Sequence, residues 1–402
     1  MTTSLEDRPP LSHGDFRVLC ASTVFAGIAF RGQLVVLGWL LLESSDSAFI
    51  VGLGIGVLMA PNAIFGVLGG AIADRTDRRL LLQTLALASS LNALILGAVV
   101  LNDAPIWLIL VLTFTSGSIW SVQQTARQSY AFDIVGANRA VSGIALTNLS
   151  QRAGGIAGGL GGGALVAQLG PGEAYLGLSI AYLVASAVML LARSKGRSAP
   201  TQRNPVLSNL REYVSELRLN STLTVLLLLT AAVEIFGFSH LSALPILVRD
   251  ELGRGGGTLG LMSAFASAGG MTSVILLSMR GDLARKGIAF LVVLGVFGVA
   301  IIFLGLSQTL LVAIVAVTIV SGLASLSDVL SQSLVQAAVQ NEMRGRAMGS
   351  WALAIGIAPL GHLQIGALSA AIGVSLALIA NGVALILLAL AAGIAVKTFR
   401  RL

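Results

Sequence analysis

Long apolar runs constrain this sequence more than any other feature, because each is long enough to cross a lipid bilayer. A transmembrane helix needs about 20 mostly apolar residues. The sequence predicts twelve such spans, at about 17–42, 48–72, 79–101, 105–131, 139–169, 173–193, 222–248, 257–279, 287–307, 309–333, 346–370 and 373–397. The first span follows a polar stretch and exceeds the apolar core of a secretory signal, so no cleavable signal peptide is predicted.

The composition supports a chain dissolved mainly in lipid. Charged residues make up only 11% of it, whereas soluble domains carry about a quarter. Its 47 glycines favour close packing of helices. The single cysteine, Cys20, excludes a disulfide framework and a cysteine zinc cluster. The three histidines lie far apart, so neither a metal centre nor a cofactor is predicted.

The basic residues follow a topological pattern. Most of the 25 Lys and Arg residues lie in or beside the N-terminus, the even-numbered loops and the C-terminus. The odd-numbered loops carry mostly acidic residues. The positive-inside rule therefore predicts a multi-pass protein of the cytoplasmic (inner) membrane with both termini in the cytoplasm. The net charge of +7 is explained by topology, and no nucleic-acid partner is expected.

The spans divide into two groups of six. The longest polar segment, 194–221, separates 1–193 from 222–402, and Leu210–Leu219 within it is either a short amphipathic helix on the membrane surface or a plain linker. The halves resemble each other at an offset of 205 positions, which aligns Gln123 with Asp328. The predicted fold is all-α, with two pseudo-symmetric six-helix bundles.

Four charged residues stand out at bilayer depth within the spans: Arg31, Arg152, Glu234 and Asp328. A charge at this depth costs at least about 2.5–3.5 kcal/mol, so it needs a partner or a water-filled cavity. Arg31 and Glu234 occupy nearly equivalent positions of the repeat and are expected to face one another. They form either a site for substrate or protons, or a permanent structural ion pair, or Glu234 is held neutral.

Two polar stripes occupy matching positions of the repeat. At helical spacing they comprise Ser116, Trp120, Gln123 and Arg127 in one half, and Ser325, Asp328, Gln332 and Gln336 in the other. Each stripe either lines water or makes hydrogen bonds between helices.

Span five contains Asn148 and Arg152 one turn apart, followed by a glycine-rich run over 154–163. The glycines suit a helix that rocks or seals, and equally a helix in tight static contact. His240 and His362 are either proton relays or ordinary hydrogen-bonded histidines. The residues predicted to act on substrate or protons are Arg31, Gln123, Asn148, Arg152, Glu234 and Asp328.

The loop after the second span reads GAIADRTDRR from Gly70 to Arg79. It resembles motif A of the major facilitator superfamily, Gly-x-x-x-Asp-Arg-x-Gly-Arg-Arg, with Asp77 in place of the second glycine. The segment 281–286 resembles a degenerate copy of the motif. Two further stretches, 125–135 and 341–348, resemble the branch that holds enterobactin-type siderophore exporters and macrolide efflux proteins. Span five departs from the antiporter motif C of the superfamily, because Ile156 stands at the proline position.

The resemblance implies a latch on the cytoplasmic side. Asp74 would lie near the start of span eleven, where a helix dipole favours an anion, and Arg78 would pair with Asp133. The residues assigned to this cytoplasmic gate are Gly70, Asp74, Arg75, Arg78, Asp133, Asp282 and Arg344.

The resulting prediction is a secondary transporter that works by alternating access and exports a small amphipathic molecule, drug-like or siderophore-like, coupled to the proton gradient. An importer or facilitator of a small organic anion is the alternative, and a membrane scaffold or receptor is a remote one. The protein is expected to be a monomer in the bilayer. No enzymatic activity is predicted, because no Gly-x-Ser-x-Gly elbow, His-Glu-x-x-His helix or Walker loop occurs.

Overall fold

The computed structural model describes residues 9–73, 75–196, 221–280, 285–339 and 344–395. These residues are almost entirely helical, and no strand occurs among them. Eleven helices within these ranges are long and apolar enough to cross a membrane. They coincide with eleven of the twelve predicted spans, which confirms the all-α membrane fold.

The remaining predicted span coincides with a helix of 29 residues, Ala140–Gln168. At a rise of 1.5 Å per residue this helix is about 43 Å long, more than the hydrocarbon core of about 30 Å requires. Its glycines and polar residues, such as Asn148 and Arg152, dilute its hydropathy. It is therefore not among the eleven helices that are apolar enough to cross a membrane.

Internal contacts group the chain into two units. Unit one comprises Met1–Asp46, Val57–Thr201 and Arg254–Ala268, and unit two comprises Ser47–Gly56, Gln202–Gly253 and Gly269–Leu402. The predicted amphipathic segment Leu210–Leu219 lies outside the described residues. The predicted bundle boundaries at 193 and 222 remain predictions.

Unit one contains most of the first six spans. Its helices are α1 Gly14–Ser45, the end of α2 Ala48–Met59, α3 Pro61–Ala73, α4 Arg78–Leu101, α5 Ile106–Val135, α6 Ala140–Gln168, α7 Pro171–Met189 and the first half of α10 Gly256–Arg280. Asp77 caps α4, because its Oδ1 accepts hydrogen bonds from the backbone N–H groups of Arg79 at 3.0 Å and Leu80 at 3.2 Å. An acidic N-cap is a favoured start for a helix, which gives the departure from the motif-A glycine a local role.

Unit two contains the remaining helices. They are the start of α2, α8 Ser221–Ala232, α9 His240–Ile246, the second half of α10, α11 Lys286–Gly305, α12 Leu310–Ala337, α13 Arg344–Ile355, α14 Ala358–Ile372 and α15 Val374–Ala395. The seventh span is not a regular α-helix, because π-helical segments occupy Val233–Phe238 and Leu247–Glu251. The eleventh span is broken between α13 and α14.

Two rows of glycine bring α6 close to its neighbours in unit one. Gly154, Gly158 and Gly162 face α1, and a Cβ atom built on Gly162 would lie 2.7 Å from the Cα of Gly32. Gly159 and Gly163 face α10, and a Cβ atom on Gly163 would lie 2.6 Å from the Cα of Gly260. Both rows repeat every four residues, the spacing that keeps glycines on one helix face and lets two backbones touch. The glycine-rich run therefore makes close helix contacts with both neighbours.

Candidate functional site

The charges inside the described helices differ in sign between the two units. Away from helix ends, unit one carries Arg31 on α1, Arg127 on α5 and Arg152 on α6. Unit two carries Glu234 on the π-helical segment and Asp328 on α12. The sequence predicts two cations and two anions for the candidate site, and Arg127 adds a third cation.

Arg31 and Arg152 lie close together in unit one. Arg31 is half-buried, and its Nε would be 3.7 Å from a Cβ atom built on Gly155 of α6. Arg152, also half-buried, acts electrostatically on Arg31. Two like charges in a medium of low polarity repel each other, so an anion bound beside them would be stabilised. Asn148, one turn before Arg152, is exposed.

Arg127 is only 4% exposed and meets neutral groups. Its Nη1 donates to Oε1 of Gln124 at 2.6 Å and to Oε1 of Gln151 at 3.1 Å. Its guanidinium lies 5.2 Å from the ring centroid of Trp120, which stacks on Phe30 at 3.8 Å. In the described part of the chain, no carboxylate lies within ion-pair distance of Arg127. The sequence contained the signal for this residue, a charge four positions before the end of the predicted span 105–131.

The polar stripe on α5 points into unit one. Ser116 accepts hydrogen bonds from Nε2 of Gln33 at 2.8 Å and from Nδ2 of Asn92 at 2.6 Å. Tyr182 donates to Oε1 of Gln33 at 3.2 Å, so the network joins α1, α4, α5 and α7. Of the two interpretations given for the stripe, lining water or making hydrogen bonds between helices, these contacts match the second. Gln123 is 2% exposed, and its Oε1 has no hydrogen-bond partner among the described residues.

Glu234 is buried in unit two, on an irregular stretch of helix. It belongs to the π-helical segment Val233–Phe238 and is 7% exposed. The segment packs tightly on α14, since a Cβ atom built on Gly361 would lie 2.7 Å from the backbone oxygen of Glu234. Asp328, half-buried on α12, acts electrostatically on Glu234. Single π-turns within α-helices are frequent at functional sites, and hydropathy cannot reveal them.

The two histidines of unit two lie near Glu234, because His240 follows it by six residues and His362 follows Gly361, which packs on its backbone. Nδ1 of His240 lies 2.7 Å from the backbone oxygen of Gly237, and Nδ1 of His362 lies 2.8 Å from Oγ of Ser242. These contacts match the hydrogen-bonded interpretation of both residues. In the described ranges, no group of three or more His, Cys, Asp or Glu side chains is placed to hold a metal ion.

Part of the predicted cytoplasmic gate lies in the described residues. Arg78 is 3% exposed, and its Nη1 lies 2.6 Å from Oδ1 of Asp133. Gly70 lies within α3, Arg75 is exposed, and Arg344 begins α13. Asp74 and Asp282 lie outside the described residues. The latch role of this set remains a prediction.

The comparison of the sequence with family profiles decides its membership. The profile of a family described as transmembrane secretion effector matches residues 6–400. The chain belongs to the transmembrane secretion effector family. This family is of the major facilitator type, so the protein is a multi-pass membrane transporter of that type. Among curated proteins, the sequence has no match.

Solved structures of transporters share the fold of this family member. A bacterial homolog of the human lysosomal transporter Spinster, inward-facing and unoccupied, aligns with a TM-score of 0.73 and 16% identity, over 96% of this chain and 97% of its own. The POT family transporter PepTSo aligns with a TM-score of 0.74 and 13% identity, over 98% and 99%. The peptide transporter POT in complex with sulfate aligns with a TM-score of 0.76 and 12% identity, over 97% and 95%. At these identities the likeness shows the fold alone.

Proposed function

We propose that the protein is a proton-coupled exporter of small amphipathic molecules that carry an acidic group, working by alternating access across the cytoplasmic membrane. The observation that carries this proposal is the separation of charge. Away from their ends, the described helices carry only arginines as charged residues in unit one, namely Arg31, Arg127 and Arg152. In unit two they carry only carboxylic acids there, namely Glu234 and Asp328.

The arginines of unit one are suited to an anionic substrate. Arginine keeps its charge under physiological conditions and can bind a carboxylate or sulfonate through two parallel hydrogen bonds. Around Arg127, the stacked rings of Trp120 and Phe30 add a flat apolar surface next to the charge. A molecule with an acidic group and an aromatic or apolar body satisfies both features.

The carboxylic acids of unit two are suited to proton coupling. A carboxyl group within a membrane can exchange a proton, and such residues mark proton relays in transporters. Glu234 lies in a π-helical segment, and Asp328 is close enough to influence its charge. We assign these two residues to the proton and the arginines to the substrate.

The description of the family as secretion effectors supports outward transport. Import or facilitated passage of a small organic anion remains the second candidate, because the same arginines suit an anion whichever way it moves. A membrane scaffold that transports nothing is the remote alternative.

Flux measurements in proteoliposomes test the proposal. The probe is an amphipathic aryl sulfonate. It stays ionised both in the lumen and in an acidic outer medium, and therefore does not cross the bilayer as a neutral acid. Preloaded probe should leave the lumen faster when the outer medium is made acidic, and protein-free liposomes should show no such effect. A cationic amphiphile of similar size is the matched control.

Each outcome of this experiment selects one alternative. Accumulation of the sulfonate in the lumen under external acid indicates symport and excludes the antiport proposed here. Equal flux with and without the gradient indicates a facilitator. Transport of the cation in preference to the sulfonate contradicts the proposed substrate class. If neither probe crosses the membrane, the scaffold alternative is the one that remains.

A further inference from the structure

The surface of unit two has an open groove between α11 and α15. The two helices touch where Gly298 meets Gly382, since a Cβ atom built on either glycine would lie 2.5 Å from the backbone oxygen of the other. From this contact, towards the start of α11 and the end of α15, the helices leave a cleft of about 580 Å³. The close glycine contact thus defines the closed end of the groove.

The groove is lined entirely by aliphatic residues and glycine. On α11, side chains such as Val292, which is 58% exposed, form one wall, and on α15, Leu390 at 58% and Ile394 at 74% form the other. Gly295 lies at the groove, and a Cβ atom built there would meet nothing within 4 Å. Because both helices are long and apolar enough to cross a membrane, the medium facing this groove is lipid.

We propose that this groove binds one acyl chain of an anionic phospholipid, with the lipid phosphate beside Arg285. The lining on α11 runs from Ile288 to Val299, a distance of about 16 Å along a helix. One leaflet of the hydrocarbon core is about 15 Å deep. The groove therefore has the length of a single leaflet, which fits an acyl chain.

The charge at the open end of the groove selects the headgroup. Arg285 is exposed and immediately precedes α11, three residues before Ile288, so it lies at the open end of the groove. Neither α11 nor α15 contains an acidic residue. The positive-inside pattern predicts that this end lies at the cytoplasmic leaflet, where anionic lipids attract basic side chains.

Lipid retention by the full-length purified protein tests the proposal. The protein is mixed with phosphatidylglycerol or phosphatidylcholine of equal chain length, and bound lipids are counted by native mass spectrometry. The wild type should retain one phosphatidylglycerol about fivefold more strongly than phosphatidylcholine, the preference expected for one basic side chain near a phosphate. Equal retention of the two lipids contradicts the headgroup assignment.

Variants that fill the groove locate the bound chain. Gly295→Leu should abolish retention, whereas the same change at Gly161 of unit one, where a Cβ atom also meets nothing within 4 Å, should leave it intact. Val292→Trp fills the groove from its exposed wall and serves as a second variant if Gly295→Leu fails to fold. Retention of lipid by a folded variant of either kind overturns the proposal.

Two further measurements distinguish recognition of the lipid headgroup from binding of the acyl chain, and test whether the groove binds transport substrate instead of lipid. Arg285→Gln should keep the bound chain and lose the preference for phosphatidylglycerol. Addition of the aryl sulfonate substrate should not displace the lipid. Displacement by the sulfonate would make the groove a substrate site and overturn the assignment to lipid, independently of whether the protein exports the sulfonate.

Discussion

Arg78 and Asp133 form an ion pair that joins the start of α4 to the end of α5. Nη1 of Arg78 lies 2.6 Å from Oδ1 of Asp133, and the two side chains are only 4% and 11% exposed. Arg78 also donates through Nε to the backbone oxygen of Ala73 at 3.2 Å and through Nη1 to that of Ser129 at 3.3 Å. One side chain therefore holds together α3, α4 and α5 within unit one.

Removal of either partner should destabilise unit one. Arg78→Gln or Asp133→Asn leaves a buried charge without its partner, which typically costs about 3–5 kcal/mol. The thermal midpoint of unfolding of the purified protein should fall in both single variants. The double variant should lose less than the sum of the two, because both changes remove the same interaction. Strictly additive losses would show that the pair contributes nothing as a pair.

Arg193→Gln is the matched control for this cycle. Arg193 is exposed, and its contact with Asp15 is made by the backbone N–H at 2.9 Å. The control should therefore unfold at the temperature of the wild type. If the pair also latches the cytoplasmic side, the single variants should show altered flux at temperatures well below their unfolding, whereas a purely structural pair should leave flux unchanged there.

Glycines of α6 should differ sharply in their tolerance of alanine. A Cβ atom on Gly158 would collide with the backbone of Ile28 in α1, whereas one on Gly161 would meet nothing within 4 Å. Gly158→Ala should therefore lower the yield of folded protein and its thermal midpoint, because backbone atoms cannot rotate away. Gly161→Ala should match the wild type or exceed it slightly, since alanine is the better helix former by about 1 kcal/mol. Equal behaviour of the two variants in size-exclusion and melting assays would contradict the close contact.

The sequence predicts the membrane helices well, because bilayer thickness directly sets the length of an apolar span. Residues such as Gly158 and Gly161 look alike in the sequence, since only the position of a neighbouring helix decides which of them is in contact. The π-helical segment around Glu234 could not be predicted from the sequence either, because the residues next to it are as apolar as those of a regular helix. Arg127 was visible as a charge within a span, but only the structure shows that no acidic partner lies beside it among the described residues.

Arg127 should contribute to the binding of anionic substrate. Arg127→Gln removes a cation that is surrounded by amides and aromatic rings, and hydrogen bonds from a charged group contribute about 1.5–3 kcal/mol. The concentration of aryl sulfonate at half-maximal flux should rise by about tenfold or more, with a smaller effect on maximal flux. Arg127→Lys should restore part of the affinity, because the charge is kept and the planar fork is lost. Unchanged concentration dependence in folded Arg127→Gln would make the residue structural.

Glu234 and Asp328 should carry the dependence on the proton gradient. Glu234→Gln and Asp328→Asn keep the size of each side chain and remove its titration, so each should abolish gradient-driven flux while exchange of substrate at equal pH persists. Substrate exchange is the decisive readout, because a variant that fails to fold loses exchange as well. Ser327→Ala on α12, next to Asp328, is the control, since the Ser327 hydroxyl donates to the backbone oxygen of Ala324 at 2.7 Å. Normal gradient-driven transport by both acid variants would exclude these residues from coupling and place the proton elsewhere in the chain.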